Sequence, residues 1–124
     1  MTRRLRTLAP ALAALALAVG LSACAPAADP VAVTADTVVL DVRTADEYAG
    51  GHLGGAQLLD QSAGAVAAAI PELDPEASYL VYCRSGNRAG QAVALMQQAG
   101  FTDVTNLGSL EQAASATGLQ IVAP

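Results

Sequence analysis

Residues 79–90 have the sequence Tyr-Leu-Val-Tyr-Cys-Arg-Ser-Gly-Asn-Arg-Ala-Gly. The apolar run from Tyr79 to Tyr82 is typical of a buried strand, and Cys83 follows at its end. From Arg88 onward, small and apolar side chains recur with the spacing of one helix face, at Ala89, Ala92, Val93, Met96 and Ala99. The pattern therefore predicts a strand, a turn that carries a thiol, and a helix that begins directly after the turn.

A thiol in this position is expected to be reactive. The first amides of a helix have no partners within the helix, and they carry the positive end of its dipole. Gly86 permits a tight turn before the helix, while Arg84 and Arg88 add two positive charges. We expect these groups to lower the pKa of the Cys83 thiol, so that it is a nucleophilic thiolate near neutral pH. The same turn can hold an anionic substrate.

The loop Cys83-Arg84-Ser85-Gly86-Asn87-Arg88 resembles the active-site loop of the rhodanese family of sulfurtransferases. Upstream segments resemble other signatures of that family in the expected order: Leu40-Asp41-Val42-Arg43, Glu47-Tyr48 and Gly51-His52-Leu53-Gly54-Gly55-Ala56. The resemblance covers about the last three-quarters of the chain, the length of one small domain. It implies an α/β fold, with a mostly parallel central sheet of about five strands and helices on both faces.

The resemblance also implies a reaction. Cys83 would be the catalytic residue, and the loop residues Arg84, Ser85, Gly86, Asn87 and Arg88 would bind substrate through side chains or amides. A sulfurtransferase of this kind moves sulfane sulfur from thiosulfate or a similar anion to Cys83, which becomes a persulfide. The persulfide then passes its sulfur to a thiol or to cyanide. No cofactor is implied.

Other functions remain open at this stage. Cys83 can serve an envelope partner as a persulfide carrier or redox relay, with little turnover of its own. A non-catalytic interaction module is a further alternative, although the intact cysteine and arginines argue against it. A thiol-based phosphatase is disfavoured, because the related cell-cycle phosphatases have one more residue between the cysteine and the arginine than the four found between Cys83 and Arg88.

Three polar residues outside the loop are candidates for supporting roles. Asp41 and Arg43 lie two positions apart at the end of a predicted strand, on the same side of it. We expect them to tie the strand end to neighbouring loops more than to bind substrate. His52 is the only histidine, and we interpret it mainly as structural. One histidine and one free thiol do not make a metal-ligand set, so no metal site is expected.

The first residues predict export. Residues 1–23 combine Arg3, Arg4 and Arg6 with an apolar run over 8–21 that is too short for an ordinary membrane span. Leu21-Ser22-Ala23-Cys24 resembles a bacterial lipobox, which implies cleavage before Cys24 and lipidation of its thiol. A plain secretory signal and an uncleaved anchor are the alternatives. We expect a tether over 24–30, a rhodanese-like domain over 31–124, and a lipid anchor in the outer face of the cytoplasmic membrane or in an outer membrane.

Composition argues against a nucleic-acid role. Without residues 1–23, three arginines face eleven carboxylates, a net charge of −8, and there is no lysine. Aromatic residues make up only 3% of the chain, so the core must consist of Val, Leu, Ile and Ala, which suits a small parallel sheet. The chain also departs from many rhodanese-like domains, since residues 106–109 hold one glycine where those have a pair, and no tryptophan follows.

Further secondary structure follows from local patterns. Thr44 to Glu47 and Ser109 to Gln112 have the form of capping boxes, so a helix is expected to begin at each. The remaining expectations are an edge strand over 31–33, strands over 37–42, 56–59 and 101–107, and an alanine-rich helix over 62–70 with Ser62 as its cap and Pro71 just past its end.

Overall fold

A computed structural model describes residues 29–124. The predicted signal peptide, the lipidation of Cys24 and most of the predicted tether lie outside the described residues. Within the described range, no helix is long and apolar enough to cross a membrane.

A four-stranded parallel sheet forms the centre of the fold. Its strand order is β3-β1-β4-β5, and its members are β1 (Thr37–Asp41), β3 (Gln57–Leu58), β4 (Ser78–Cys83) and β5 (Val104–Ser109). Two further short strands, β2 (His52–Leu53) and β6 (Ile121–Val122), pair antiparallel in a separate ribbon. The predicted α/β class with a mostly parallel sheet is confirmed, with four strands in that sheet instead of about five.

Helices cover both faces of the sheet, as predicted. They are α1 (Ala45–Ala49), α2 (Ala65–Ala69), α3 (Asn87–Gln98) and α4 (Leu110–Thr117), with short 3-10 turns at Gln61–Ala63 and Ile70–Glu72. Successive side chains of a strand point to opposite faces, and β4 is buried on both. Val81 and Cys83 pack with Met96 of α3 in one core cluster. Leu80 and Tyr82 pack with Ala113 of α4 in the other.

Both predicted capping boxes are present. The Thr44 hydroxyl accepts from the Glu47 amide at 3.3 Å, and the Thr44 amide donates to Glu47 Oε2 at 3.0 Å. The Ser109 hydroxyl accepts from the Gln112 amide at 3.1 Å, and Gln112 Oε1 accepts from the Ser109 amide at 2.9 Å. These caps satisfy amides that a helix start leaves without partners, so α1 and α4 each begin at the residue that local sequence predicts.

Two of the expected elements are wrong. Residues 31–33 form no strand, and the Val31 amide donates instead to the carbonyl of Ala116 at 2.9 Å. The alanine-rich segment does not form one helix over 62–70, because Gly64 adopts a left-handed conformation with φ of 76° and interrupts it. Asp60, not Ser62, caps the first turn by accepting from the Ser62 amide at 2.9 Å, and Pro71 lies within the second 3-10 turn.

The topology brings the polar residues to one edge of the sheet. Parallel strands place all their carboxyl ends together, and ligands of open α/β sheets bind at that edge. Asp41 ends β1 opposite Tyr82, and Cys83 ends β4 opposite Ser109 of β5. The turn after Cys83 therefore lies between the carboxyl ends of β1 and β5.

Candidate active site

The Cys83 sulfur lies inside a turn of backbone amides. Its side chain is a free thiol that is fully buried, with 0% of its surface exposed. The Gly86 amide donates to Cys83 Sγ at 2.9 Å. Gly86 has φ of 93°, a left-handed conformation that residues with a side chain rarely adopt, and α3 begins at the next residue. The predicted strand, turn and helix are thus confirmed, and the thiol lies at the turn just before the helix begins.

Two opposing effects set the pKa of the Cys83 thiol. Burial raises the pKa, because it disfavours the charged thiolate. Hydrogen bonds from the amides of Ala89, Ser85, Gly86 and Arg88 lower it, and together they outweigh the burial. The net effect is a lowered pKa, which makes the thiolate more abundant near neutral pH than in an ordinary cysteine.

Arg88 contributes to the site differently from the sequence-based expectation. Its guanidinium forms a bidentate ion pair with Glu47 of α1, with Nη1 2.7 Å from Oε2 and Nη2 3.0 Å from Oε1. The hydrogen bond from Arg88 holds the pKa of Glu47 at about 2, well below its ordinary 4.5. The side-chain charge of Arg88 is therefore matched by Glu47, while its amide contributes to the turn around Cys83.

The other loop side chains lie at the rim. Arg84, Ser85 and Asn87 are exposed, and the Asn87 amide lies 3.5 Å from the Ser85 hydroxyl. Arg84 lines an open depression of about 350 Å³ beside the loop, together with Arg43, Asp46, Glu47, Gly50, Gly51, Leu110 and Glu111. Since Glu47 already pairs with Arg88, Arg84 is the loop cation that remains available at the rim.

Asp41 and Arg43 form a buried network below the loop. Arg43 Nη2 lies 2.6 Å from Asp41 Oδ2 and donates to the Gly51 carbonyl at 2.7 Å. The Tyr82 hydroxyl donates to Asp41 Oδ2 at 2.7 Å and accepts from the Leu53 amide at 3.0 Å. Burial raises the pKa of Tyr82, and the hydrogen bond to Asp41 raises that of Arg43. The network joins the end of β1 to β4, to Gly51 and to β2.

His52 follows Gly51 of this network and contacts Tyr48. Its ring stacks on Tyr48 with centroids 3.6 Å apart, and Nδ1 lies 2.9 Å from the Tyr48 carbonyl oxygen. The Tyr48 hydroxyl in turn donates to the Ala56 carbonyl at 2.9 Å. Among residues 29–124, no group of three His, Cys, Asp or Glu side chains is arranged to hold a metal ion.

Comparison with known proteins agrees with this geometry. Residues 28–116 match the rhodanese-like domain family. The chain belongs to that family. It is 35% identical over 91 residues to a sulfurtransferase of Allochromatium vinosum, a match that covers 73% of this chain and 83% of the relative. It is 39% identical over 70 residues to the thiosulfate sulfurtransferase GlpE of Pseudomonas fluorescens, which covers 56% of this chain and 62% of the relative.

Solved rhodanese-like structures share the fold. A rhodanese with anions from E. coli superposes with a TM-score of 0.58 at 28% identity, and covers 71% of this chain and 99% of its own. The Alr3790 protein of Anabaena gives a TM-score of 0.62 at 29% identity, with 73% and 80% covered. The rhodanese-like chain therefore carries its Cys83 loop on a sheet and helix arrangement found in several solved relatives.

Sequence reasoning missed three residues that shape the loop of this rhodanese-like chain. It considered Glu47 only as part of a resemblance and of a capping box, yet Glu47 also pairs with Arg88 across 41 positions of sequence. Tyr82 was predicted only as part of a strand, and Asn106 only as part of a strand and of a departure from the family. The Asn106 amide nitrogen donates to the Gly86 carbonyl at 3.0 Å. The Asn-x-Gly spacing at residues 106–108 is a local signal for a side chain that bonds to the backbone two residues on.

Proposed function

We propose that this rhodanese-like chain is a sulfurtransferase that accepts sulfane sulfur from thiosulfate, or a similar anion, as a persulfide on Cys83. The Cys83 thiolate attacks the outer sulfur of the donor and forms a new sulfur–sulfur bond. The bond between the two sulfur atoms of thiosulfate breaks, and its electron pair leaves with sulfite. A thiol or cyanide then attacks the outer sulfur of the persulfide, and Cys83 returns as the thiolate.

One observation carries this proposal. Amides of the loop converge on a single buried sulfur and lower the pKa of its thiol. Such amides stabilise a thiolate, and they stabilise the charge of a persulfide in the manner of an oxyanion hole. Relatives support thiosulfate as the donor, since GlpE of Pseudomonas fluorescens and PspE of E. coli are both thiosulfate sulfurtransferases by name.

The same geometry argues against phosphoester hydrolysis. A phosphate over Cys83 would need a cation aimed at its oxygens, and the Arg88 guanidinium is occupied by both oxygens of Glu47. Arg84 is exposed at the rim, where its charge can attract an anionic sulfur donor. Sulfur transfer needs only the thiolate, the amides and access for a donor, and the loop supplies the first two.

The test follows sulfur through both steps. Residues 25–124 are incubated with thiosulfate and cyanide while thiocyanate is measured, and mass spectrometry detects added sulfur on Cys83. We expect turnover together with one added sulfur atom, and loss of both signals in the Cys83→Ser variant with its thermal unfolding retained. Thiocyanate formation that survives in Cys83→Ser would disprove the mechanism. A stable persulfide without turnover would identify a carrier instead of an enzyme.

We also propose that the chain is exported and lipidated at Cys24, as the Leu21-Ser22-Ala23-Cys24 segment suggests. The full chain expressed in bacteria should then partition into detergent and carry added lipid mass. The Cys24→Ser variant should lack this lipid mass. A wild-type chain without added lipid mass would refute lipidation.

A further inference from the structure

Asn106 of β5 bridges the last strand of the sheet to the active-site loop. Its Oδ1 accepts from the Gly108 amide at 2.8 Å, and its Nδ2 donates to the Gly86 carbonyl at 3.0 Å. The Gly108 amide can only donate, so it fixes which side-chain atom of Asn106 is the oxygen. The nitrogen is therefore held toward Gly86, on the opposite side of the amide.

We propose that Asn106 is a positioning residue of the active site, whose side chain holds the Gly86 peptide so that the loop amides stay directed at the Cys83 sulfur. The Gly86 carbonyl accepts from Asn106 and also from the Gly90 amide at 2.9 Å, while the Gly86 amide donates to Cys83 Sγ at 2.9 Å. Asn106 is thus one residue removed from the sulfur and acts through the loop backbone.

Close packing between the two turns makes this contact possible. A Cβ atom at Gly86 would lie 3.2 Å from Gly108 Cα, which is tighter than ordinary contacts allow. Gly108 has φ of 83°, and a Cβ there would collide with the Gln112 side chain that completes the cap of α4. The next position holds the capping residue Ser109. One glycine and Asn106 together allow the end of β5 to lie against the loop.

The contact also lies at an irregularity of the sheet. The pairing of β4 with β5 shifts between Val81 and Tyr82, so that Val81 lies opposite Asn106 and Tyr82 opposite Gly108. Such a bulge re-aims side chains at the end of a strand. Here it places Asn106 beside the loop that follows Cys83. The Gly90 bond keeps the helix start intact without Asn106, and the side chain adds the lateral restraint on the loop.

Two variants distinguish the two hydrogen bonds that the Asn106 side chain makes. Asn106→Ser keeps a short acceptor for the Gly108 amide but cannot reach the Gly86 carbonyl, and Asn106→Ala loses both bonds. We expect each variant to raise the pKa of the Cys83 thiol by about half a unit to one unit, since one restraining hydrogen bond is lost. Alkylation by iodoacetamide, at a pH below the wild-type midpoint, should slow by about three- to tenfold.

Ultraviolet titration of the thiolate and the pH profile of alkylation give this readout, and neither needs a sulfur donor. The inference rests on the proposed function only for the choice of Cys83 as nucleophile, so absence of thiosulfate turnover does not affect its test. Thr105→Ala is the matched control, because Thr105 is the exposed neighbour of Asn106 on the same strand. It should leave the titration unchanged. A wild-type titration curve in Asn106→Ser would overturn the proposal, even if thermal stability falls, and so would an equal shift in Thr105→Ala.

Discussion

Open depressions lie at both ends of the parallel sheet, and they differ in size and in what lines them. The depression at the amino end is the larger, about 720 Å³, and five carboxylates line it: Asp36, Glu72, Asp74, Glu76 and Asp103. The depression at the carboxyl end has about 350 Å³ and includes Arg84 of the active-site loop. We place the proposed chemistry at the smaller one, because it adjoins the turn in which amides converge on Cys83.

The difference shows that available hydrogen-bond donors, more than volume, locate a site. At the amino end the polar groups bond to one another: the Ser78 hydroxyl lies 2.6 Å from Asp103 Oδ2, and the Tyr79 hydroxyl donates to the Asp74 carbonyl at 2.8 Å. Burial raises the pKa of Tyr79, so this hydroxyl is a poor acid. At the carboxyl end, backbone amides are directed at the Cys83 sulfur, a nucleophile to which a substrate atom can bond.

The largest effect on stability should come from the buried network of Asp41 and Arg43 at the carboxyl end of the sheet. Among the described residues, the buried charged groups are Asp41 and Arg43, and both lie there. Arg43→Met leaves the Asp41 carboxylate buried without its partner, so we expect a loss of about 3 to 5 kcal/mol in the free energy of unfolding. Urea unfolding monitored by circular dichroism measures this loss.

A double variant provides the control for this prediction. Asp41→Asn together with Arg43→Met removes the buried charge and keeps an oxygen that can accept from Tyr82. We expect it to be more stable than Arg43→Met alone, because no uncompensated charge remains. Equal losses in the single and double variants would show that the fold tolerates an unpaired Asp41 carboxylate.

A smaller effect should come from the ion pair between Glu47 and Arg88, which is partly exposed. The pKa of Glu47 is about 2 in the folded chain, against an ordinary value of 4.5. Because this pKa is lower in the folded chain than in the unfolded chain, the charged Glu47 stabilises the fold at any pH above the unfolded pKa. The contribution is lost as the pH falls from about 4.5 through about 2. Allowing for solvent screening, we expect Glu47→Gln to cost about 1 to 2 kcal/mol at neutral pH.

The pH dependence distinguishes this pair from a simple packing contact. The difference between wild type and Glu47→Gln in urea unfolding should vanish at the acidic end of that range. Asp46→Asn, an exposed change on the same helix, serves as the control and should change the free energy of unfolding by about 0.5 kcal/mol at most. A difference for Glu47→Gln that stays constant from neutral to acidic pH would contradict the role of its charge.

Local sequence predicted the parts of the fold that depend on neighbouring residues. The capping boxes at Thr44 and Ser109 span three positions each, and the turn after Cys83 follows from a strand pattern, a glycine and a helix pattern. The helix expected over 62–70 was wrong for an equally local reason, since Gly64 adopts φ of 76°. The alanine-rich pattern of residues 62–70 did not reveal this conformation. The strand expected over 31–33 was wrong, because the Val31 amide donates to the Ala116 carbonyl of α4 and not to a strand.

The rest of the site depends on contacts between distant segments. Glu47 and Arg88 are 41 positions apart, as are Asp41 and Tyr82, and neither pair has a periodic signal. Charge counting therefore assigned the full positive charge of Arg88 to the loop, whereas Glu47 matches it. The contact between Asn106 and Gly86 requires the sheet register and the close approach of two glycine turns. These features become visible only once β4 and β5 are paired.

The smallest predicted effect compares the two depressions by removing the same negative charge from each and measuring kcat/KM. Asp46→Asn with Glu111→Gln removes two negative charges from the rim beside Arg84, which should raise kcat/KM for thiosulfate about two- to fivefold at low salt. Glu72→Gln with Glu76→Gln removes the same charge at the amino end, about 20 Å away along the six residues of β4. That distance exceeds the screening length of about 10 Å at moderate salt, so no change is expected there. Equal increases in both double variants would mean that the net charge of the chain, and not the rim of the loop, controls access of the anion to Cys83.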